Sequence, residues 1–291
     1  MTMVVKGTLA AAFAAACVAF AHAERLRECY WMAGHETGLV DGPGNKWGLP
    51  PATGCYHQVR GCIDFGVPRL YCGMFGSPDR NLRASFAGLE RVMFNVSTNR
   101  KDPAFHHGLV DNAIEIAKEM PNMTGVVFDD FFVTYTKAAF TSAELREIRR
   151  RAKALERPLE LHLVAYDFFF RKDPNLGENI EEMRPWYDSF DVIQLWTWEA
   201  KDIARQPETL AALRRFAPDK RIILGLYMWD FGAKREMTAG EMKMQLDFAL
   251  DKWKAKEIDG VIFFVTAICN RDFPAVNLAR EWAWRNMDCE R

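Results

Sequence analysis

Neither sign of charge dominates this chain. Its 38 Lys and Arg residues face 39 Asp and Glu, a formal net charge of −1. A surface so close to neutral argues against nucleic acid or an anionic membrane as the partner. Beyond the N-terminal stretch no segment approaches the roughly 18 uncharged apolar residues of a spanning helix. Zinc-hydrolase and redox signatures are missing too: there is no HExxH, no HxH and no CxxC pair. No stretch rich in Pro, Gly or Ser divides the chain, and no segment is of low complexity. The turn His35-Glu36-Thr37-Gly38 is a poor imitation of a glycine-rich phosphate loop.

What is present begins with an export-like N-terminus. Lys6 supplies a short positive region, Leu9 to Phe20 an apolar run, and Ala21-His22-Ala23 a small-x-small cleavage motif. The expected division is a signal peptide over 1–23 and one domain over 24–291, secreted or periplasmic after cleavage near Ala23-Glu24. Without Cys17 six cysteines remain: Cys29, Cys55, Cys62, Cys72, Cys269 and Cys289. An even number in an oxidising compartment suggests structural disulfides. Cys29–Cys289, joining the two ends, and Cys55–Cys62, inside one loop, are the expected bridges.

The domain alternates short apolar runs with amphipathic, charge-decorated segments. Strands are predicted at Cys29–Gly34, Arg69–Phe75, Arg91–Ser97, Gly125–Phe131, Leu159–Tyr166, Val192–Trp198, Arg221–Met228 and Val261–Thr266. Helical periodicity is clearest at Leu109–Glu119, Ser142–Leu155, Ile203–Phe216, Ala239–Lys256 and Ala275–Asn286. Eight strands alternating with helices predict an α/β fold, a single (β/α)8 TIM barrel. The insertion Glu36–Val67 is expected to be a long ordered loop over the barrel mouth. His106-His107, just before a predicted helix, reads as a solvated turn.

Chemistry in such a barrel sits at the carboxyl ends of the strands. There Gly125-Val126-Val127-Phe128 runs into two carboxylates, Asp129-Asp130. Neighbours on a strand diverge, so the second acid of a catalytic pair is expected across the mouth, at Asp230 or Glu199. Polar residues in a barrel strand usually face the interior, which phases the strands. That phasing places Asn95, Tyr166, Gln194, Trp196, Trp198, Tyr227 and Trp229, with Asp167 just past a strand end, around a carbohydrate substrate, rings on C–H faces and amides on hydroxyls. Glycoside cleavage needs two carboxyls, roughly 5–5.5 Å apart for retention and 6.5–9.5 Å for inversion, one of them kept protonated. Such chemistry calls for no cofactor and no metal.

The stretches GVVFDDFF, VIQLWTWEAKDI and ILGLYMWDFG resemble those of exported bacterial barrels of the glycoside hydrolase type. The resemblance spans the barrel and implies glycan processing, for which the residues themselves offer Asp130, Asp129, Asp230 and Glu199. The chain departs from the best-known retaining clan, which carries Glu on strands four and seven where Asp stands here. It also lacks the DxxDxDxE motif of chitinase-like barrels. Two other readings remain open on the sequence: a barrel that binds carbohydrate without cutting it, and a metal-dependent sugar isomerase or hydrolase using Asp129, Asp130, Glu160 and His162.

Overall fold

The computed structural model describes residues 23–35, 38, 41–51, 57–73, 78–170 and 180–291. The expected leader up to residue 22, and Cys55 with its expected bridge, lie outside the described residues.

Eight parallel strands close into a barrel in the order β1-β10-β7-β6-β5-β4-β3-β2. They are β1 (Tyr30–Gly34), β2 (Arg69–Cys72), β3 (Arg91–Asn95), β4 (Met123–Phe128), β5 (Glu160–Tyr166), β6 (Val192–Trp196), β7 (Arg221–Tyr227) and β10 (Gly260–Phe264). Two short strands, β8 (Trp229–Asp230) and β9 (Arg235–Glu236), form an antiparallel hairpin on the mouth beyond β7. The expected barrel is therefore the observed one. Parallel strands covered by helices are buried on both faces, which is why their sequences read as continuous apolar runs.

Around them lie α1 (Gln58–Phe65), α2 (Arg80–Ser85), α3 (Pro103–Glu119), α4 (Thr136–Ala139), α5 (Ser142–Lys153), α6 (Ile180–Tyr187), α7 (Gln206–Phe216), α8 (Ala239–Lys254) and α9 (Pro274–Asn286). The boundary chemistry is local. Thr141 with Glu144 and Thr238 with Glu241 each close a reciprocal capping box at the start of α5 and α8. The insertion after β1 is not all loop, because α1 crosses its second half, from a His57 cap to Gly66 in the left-handed conformation. Its remaining described part, residues 41–51, brings Trp47 over the mouth, where it packs against Trp198 and Phe231. His106 is not solvated: it is fully buried within α3, its ring 2.8 Å from the Arg100 carbonyl.

The disulfide between the termini does not form. Cys29 and Cys289 are not disulfide-bonded, nor are Cys62, Cys72 and Cys269. The ends meet through backbone and charge instead. Leu26 N–H donates to the Cys289 carbonyl at 2.9 Å, and Arg291 pairs with Glu24 at 2.6 Å. Burial pushes the Cys29 thiol up to about 11, so it is a protonated, inert core group.

Candidate active site

Strand register fixes which side chains enter the barrel. Val127 pairs with Asn95 and with His162, and Tyr166 pairs with Trp196, so these residues share the inward face. The alternation continues past the end of β4 and points Asp129 inward as well. Asp130 would then turn away, as the sequence suggested, but β4 has already ended at Phe128. Asp130 adopts the left-handed conformation, φ 50°, which brings its carboxylate back to the mouth. Both carboxylates consequently line the same two cavities. The expected divergence fails because its premise, a regular strand through both residues, does not hold.

The two cavities differ in character. The wider, of about 310 Å³, is lined mainly by polar residues, among them Asn45, Lys46, Asn95, Ser97, Thr98, Asn99 and Thr134. The narrower, about 70 Å³, is walled by Tyr71, Tyr166, Trp196, Trp198, Tyr227 and Phe231. Trp47 borders both. Trp196 and Tyr227 pack with centroids 4.7 Å apart, and Tyr166 meets Trp198 edge-on at 5.6 Å. Gly225 makes room for this wall, since a Cβ there would fall 2.1 Å from the Trp196 ring.

Electrostatics separate the two acids. Desolvation, then the charge of Asp130, lift Asp129 to about 7, although the Tyr71 hydroxyl and a backbone N–H favour its ionised form. Asp130 is also raised by desolvation, but the Tyr166 hydroxyl donates to its Oδ1 at 2.5 Å and Lys46 attracts its charge. Both interactions oppose the rise. One proton held by Asp129 beside an ionised Asp130 is the arrangement these surroundings favour near neutrality.

The remaining predicted residues divide. Asn95, Tyr166, Trp196, Trp198 and Tyr227 line the cavities. Asp230 and Glu199, the expected partners from across the mouth, are not among the described lining residues. Asp230 is buried in the hairpin, its Oδ1 accepting from Ala233 N–H at 3.0 Å and its Oδ2 meeting Arg235 at 3.1 Å. Glu199 pairs with Lys201 at 2.5 Å and packs its Cγ beneath Gly232. Asp167 accepts from Trp198 N–H at 3.0 Å, tying the ends of β5 and β6 together. Gln194 is buried beside Met93 and His162, and Trp229 donates to the Trp47 carbonyl at 3.1 Å, holding that ring in place.

The metal-ligand set considered on the sequence is split between barrel ends. Glu160 and His162 border a separate cavity with Arg221 and Arg69, at the end where strands begin. Among the described residues no three His, Cys, Asp or Glu side chains converge as a ligand set.

Sequence phasing missed Tyr71, Trp47 and Lys46. Tyr71 pairs with Met93, which shares the inward face of β3 with Asn95 two residues on. Trp47 and Lys46 come from a loop without periodicity, where only tertiary contacts reveal position.

No family model matches this chain, and no curated protein matches it. Solved structures do. A putative alpha-L-fucosidase from Bacteroides thetaiotaomicron VPI-5482 superposes with TM-score 0.58 at 9% identity, covering 98% of this chain and 99% of its own. A chitinase from Chromobacterium violaceum gives 0.55 at 10% identity over 87% and 98%. The spore cortex-lytic enzyme SleL of Bacillus megaterium QM B1551 gives 0.54 at 11% over 87% and 73%. At such identities the likeness is one of fold.

Proposed function

We propose that this protein is an exported glycan-processing enzyme, a glycoside hydrolase whose acid–base unit is Asp129 with Asp130. The observation that carries the reading is the pair itself. Two adjacent carboxyls share a partly enclosed, aromatic-walled mouth, one held protonated at about 7 and the other restrained by Tyr166. The Asp129 carboxyl protonates the glycosidic oxygen as the C–O bond breaks, and ionised Asp130 stabilises the positive charge growing on the ring. Water then adds to the anomeric carbon and returns a proton to the pair. The names of the similar barrels, a chitinase, a putative fucosidase and a cortex-lytic enzyme, support this class of substrate. Export rests on the N-terminal pattern of Lys6, Leu9 to Phe20 and Ala21-His22-Ala23.

Release of reducing ends from glycol chitin, xylan, hydroxyethyl cellulose and laminarin, together with aryl glycosides, tests the proposal. Wild type should cleave at least one, while Asp129→Asn and Asp130→Asn should each abolish turnover and keep a cooperative melt. Full activity in both variants would sink it. The lack of a third lining carboxylate among the described residues favours a second reading, a barrel that holds glycan without cutting it. Retained glycan affinity with no new reducing ends would establish that alternative.

A further inference from the structure

We infer that the site continues beyond Asp129 and Asp130 into a second sugar position, with Tyr135 as its stacking platform, so that the substrate is a glycan chain of at least two linked units. The inference rests on the carbohydrate reading above and extends it. The wide polar cavity carries open hydrogen-bonding capacity: Asn95 and Ser97 are each only 2% exposed, yet Asn95 Nδ2 and Ser97 Oγ have no hydrogen-bond partner. Buried polar groups left unpaired cost roughly 1–3 kcal/mol each, so such groups suit a hydroxyl-bearing ligand that pairs with them.

Directly after Thr134, a lining residue of this cavity, the chain carries an exposed aromatic ring. Tyr135 is 45% exposed, whereas Trp47 and Trp198 are half-buried and Tyr71, Tyr166, Trp196 and Tyr227 are buried. Thr134, its neighbour, lines the cavity, and so does Asn99, two residues before Lys101. Lys101 Nζ lies 5.0 Å from the Tyr135 ring centroid. The platform is tied to the proposed catalytic pair. Val133 N–H and Thr134 N–H both donate to the Asp130 carbonyl at 3.0 Å, and the Thr134 hydroxyl donates to it at 2.9 Å. A ring held in fixed relation to the acid can stack on the C–H face of the next sugar. On the other side of the pair lies the smaller aromatic recess of about 70 Å³. The chain we infer runs from Asp129 past Asn95 and Asn99 toward Tyr135.

Affinity electrophoresis tests this, using the cleavage-dead Asp129→Asn protein in gels cast with glycol chitin, xylan, hydroxyethyl cellulose or laminarin. At least one polysaccharide should retard the protein. Adding Tyr135→Ala should weaken that binding by about 5-fold or more, whereas Tyr135→Phe should keep it. Thermal melts check that all three proteins fold alike. Equal retardation of the Ala variant overturns the inference. So does the absence of any retardation while wild type cleaves aryl glycosides, an outcome that leaves the hydrolase reading intact. If Tyr135-dependent retardation persists although wild type releases no reducing ends, the platform stands and hydrolysis falls.

Discussion

Asp129 is where burial and chemistry conflict most directly. Folding raises its pKa from 3.8 to about 7, so the folded protein keeps a proton that the unfolded chain releases. An unfolded state binding fewer protons means that stability falls as pH rises, here by about 1.4 kcal/mol per unit between those values. Above about 7 the loss is complete. Asp129→Asn should therefore melt higher than wild type at pH 8, with the gap closing toward pH 4, as melts across that range would show. A constant gap would contradict the assignment. For activity the same proton is needed, so kcat/KM should decline as pH rises through about 7. Tyr166 acts on the opposite limb. Its hydroxyl lowers the proton affinity of Asp130, and Tyr166→Phe should move the acid limb to higher pH and cut kcat roughly 10-fold to 100-fold. A pH–rate profile unchanged in shape would argue that the hydroxyl is only structural.

At the scale of elements, the β8–β9 hairpin shows how a carboxylate near the mouth can serve architecture. Asp230 stands directly opposite Arg235 in the hairpin register, and both its oxygens are engaged inside the hairpin. The hairpin in turn carries Phe231 to the narrow cavity. Asp230→Ala should cost about 1–3 kcal/mol in urea unfolding, by removing buried partners from Ala233 N–H and Arg235. Its pH–activity profile should keep its position, with kcat/KM lowered less than about tenfold. Loss of activity like that of Asp129→Asn would return Asp230 to catalysis. The preceding residue of β8 acts similarly: Trp229, expected to touch substrate, positions Trp47 through the hydrogen bond to its carbonyl.

For the molecule as a whole, closure replaces covalent stapling. Leu26 and Arg27 N–H groups bond to the Cys289 and Met287 carbonyls, and Arg291 reaches the Trp253 and Ile258 carbonyls at 2.9 and 2.7 Å. The described cysteines form no disulfide, and all but Cys289 are buried, where a thiol behaves as a small apolar side chain. Reducing agent should accordingly leave the melting temperature unchanged, whereas Arg291→Ala should lower it, both read by calorimetry. A large drop with reductant would restore a disulfide framework.

Fold and site were legible to different depths, for reasons particular residues make plain. Period-two phasing placed Asn95, Tyr166, Trp196 and Tyr227 on the inward face, because helices on the outside leave polar strand residues one direction to point. That local rule, with strand–helix alternation, was enough to determine a closed barrel and the position of Asp129 at its mouth. The cysteine pairing was not legible, since count and compartment say nothing of which Sγ atoms meet. Nor was the partner of Asp129. Only the tertiary structure decided that Asp130 turns back through a left-handed residue to join it, and that Asp230 and Glu199 are spent on other contacts. Periodicity reports which face a residue takes while a strand lasts. Beyond the strand end, backbone conformation and distant neighbours decide, and the carboxylates that matter here stand just past that point.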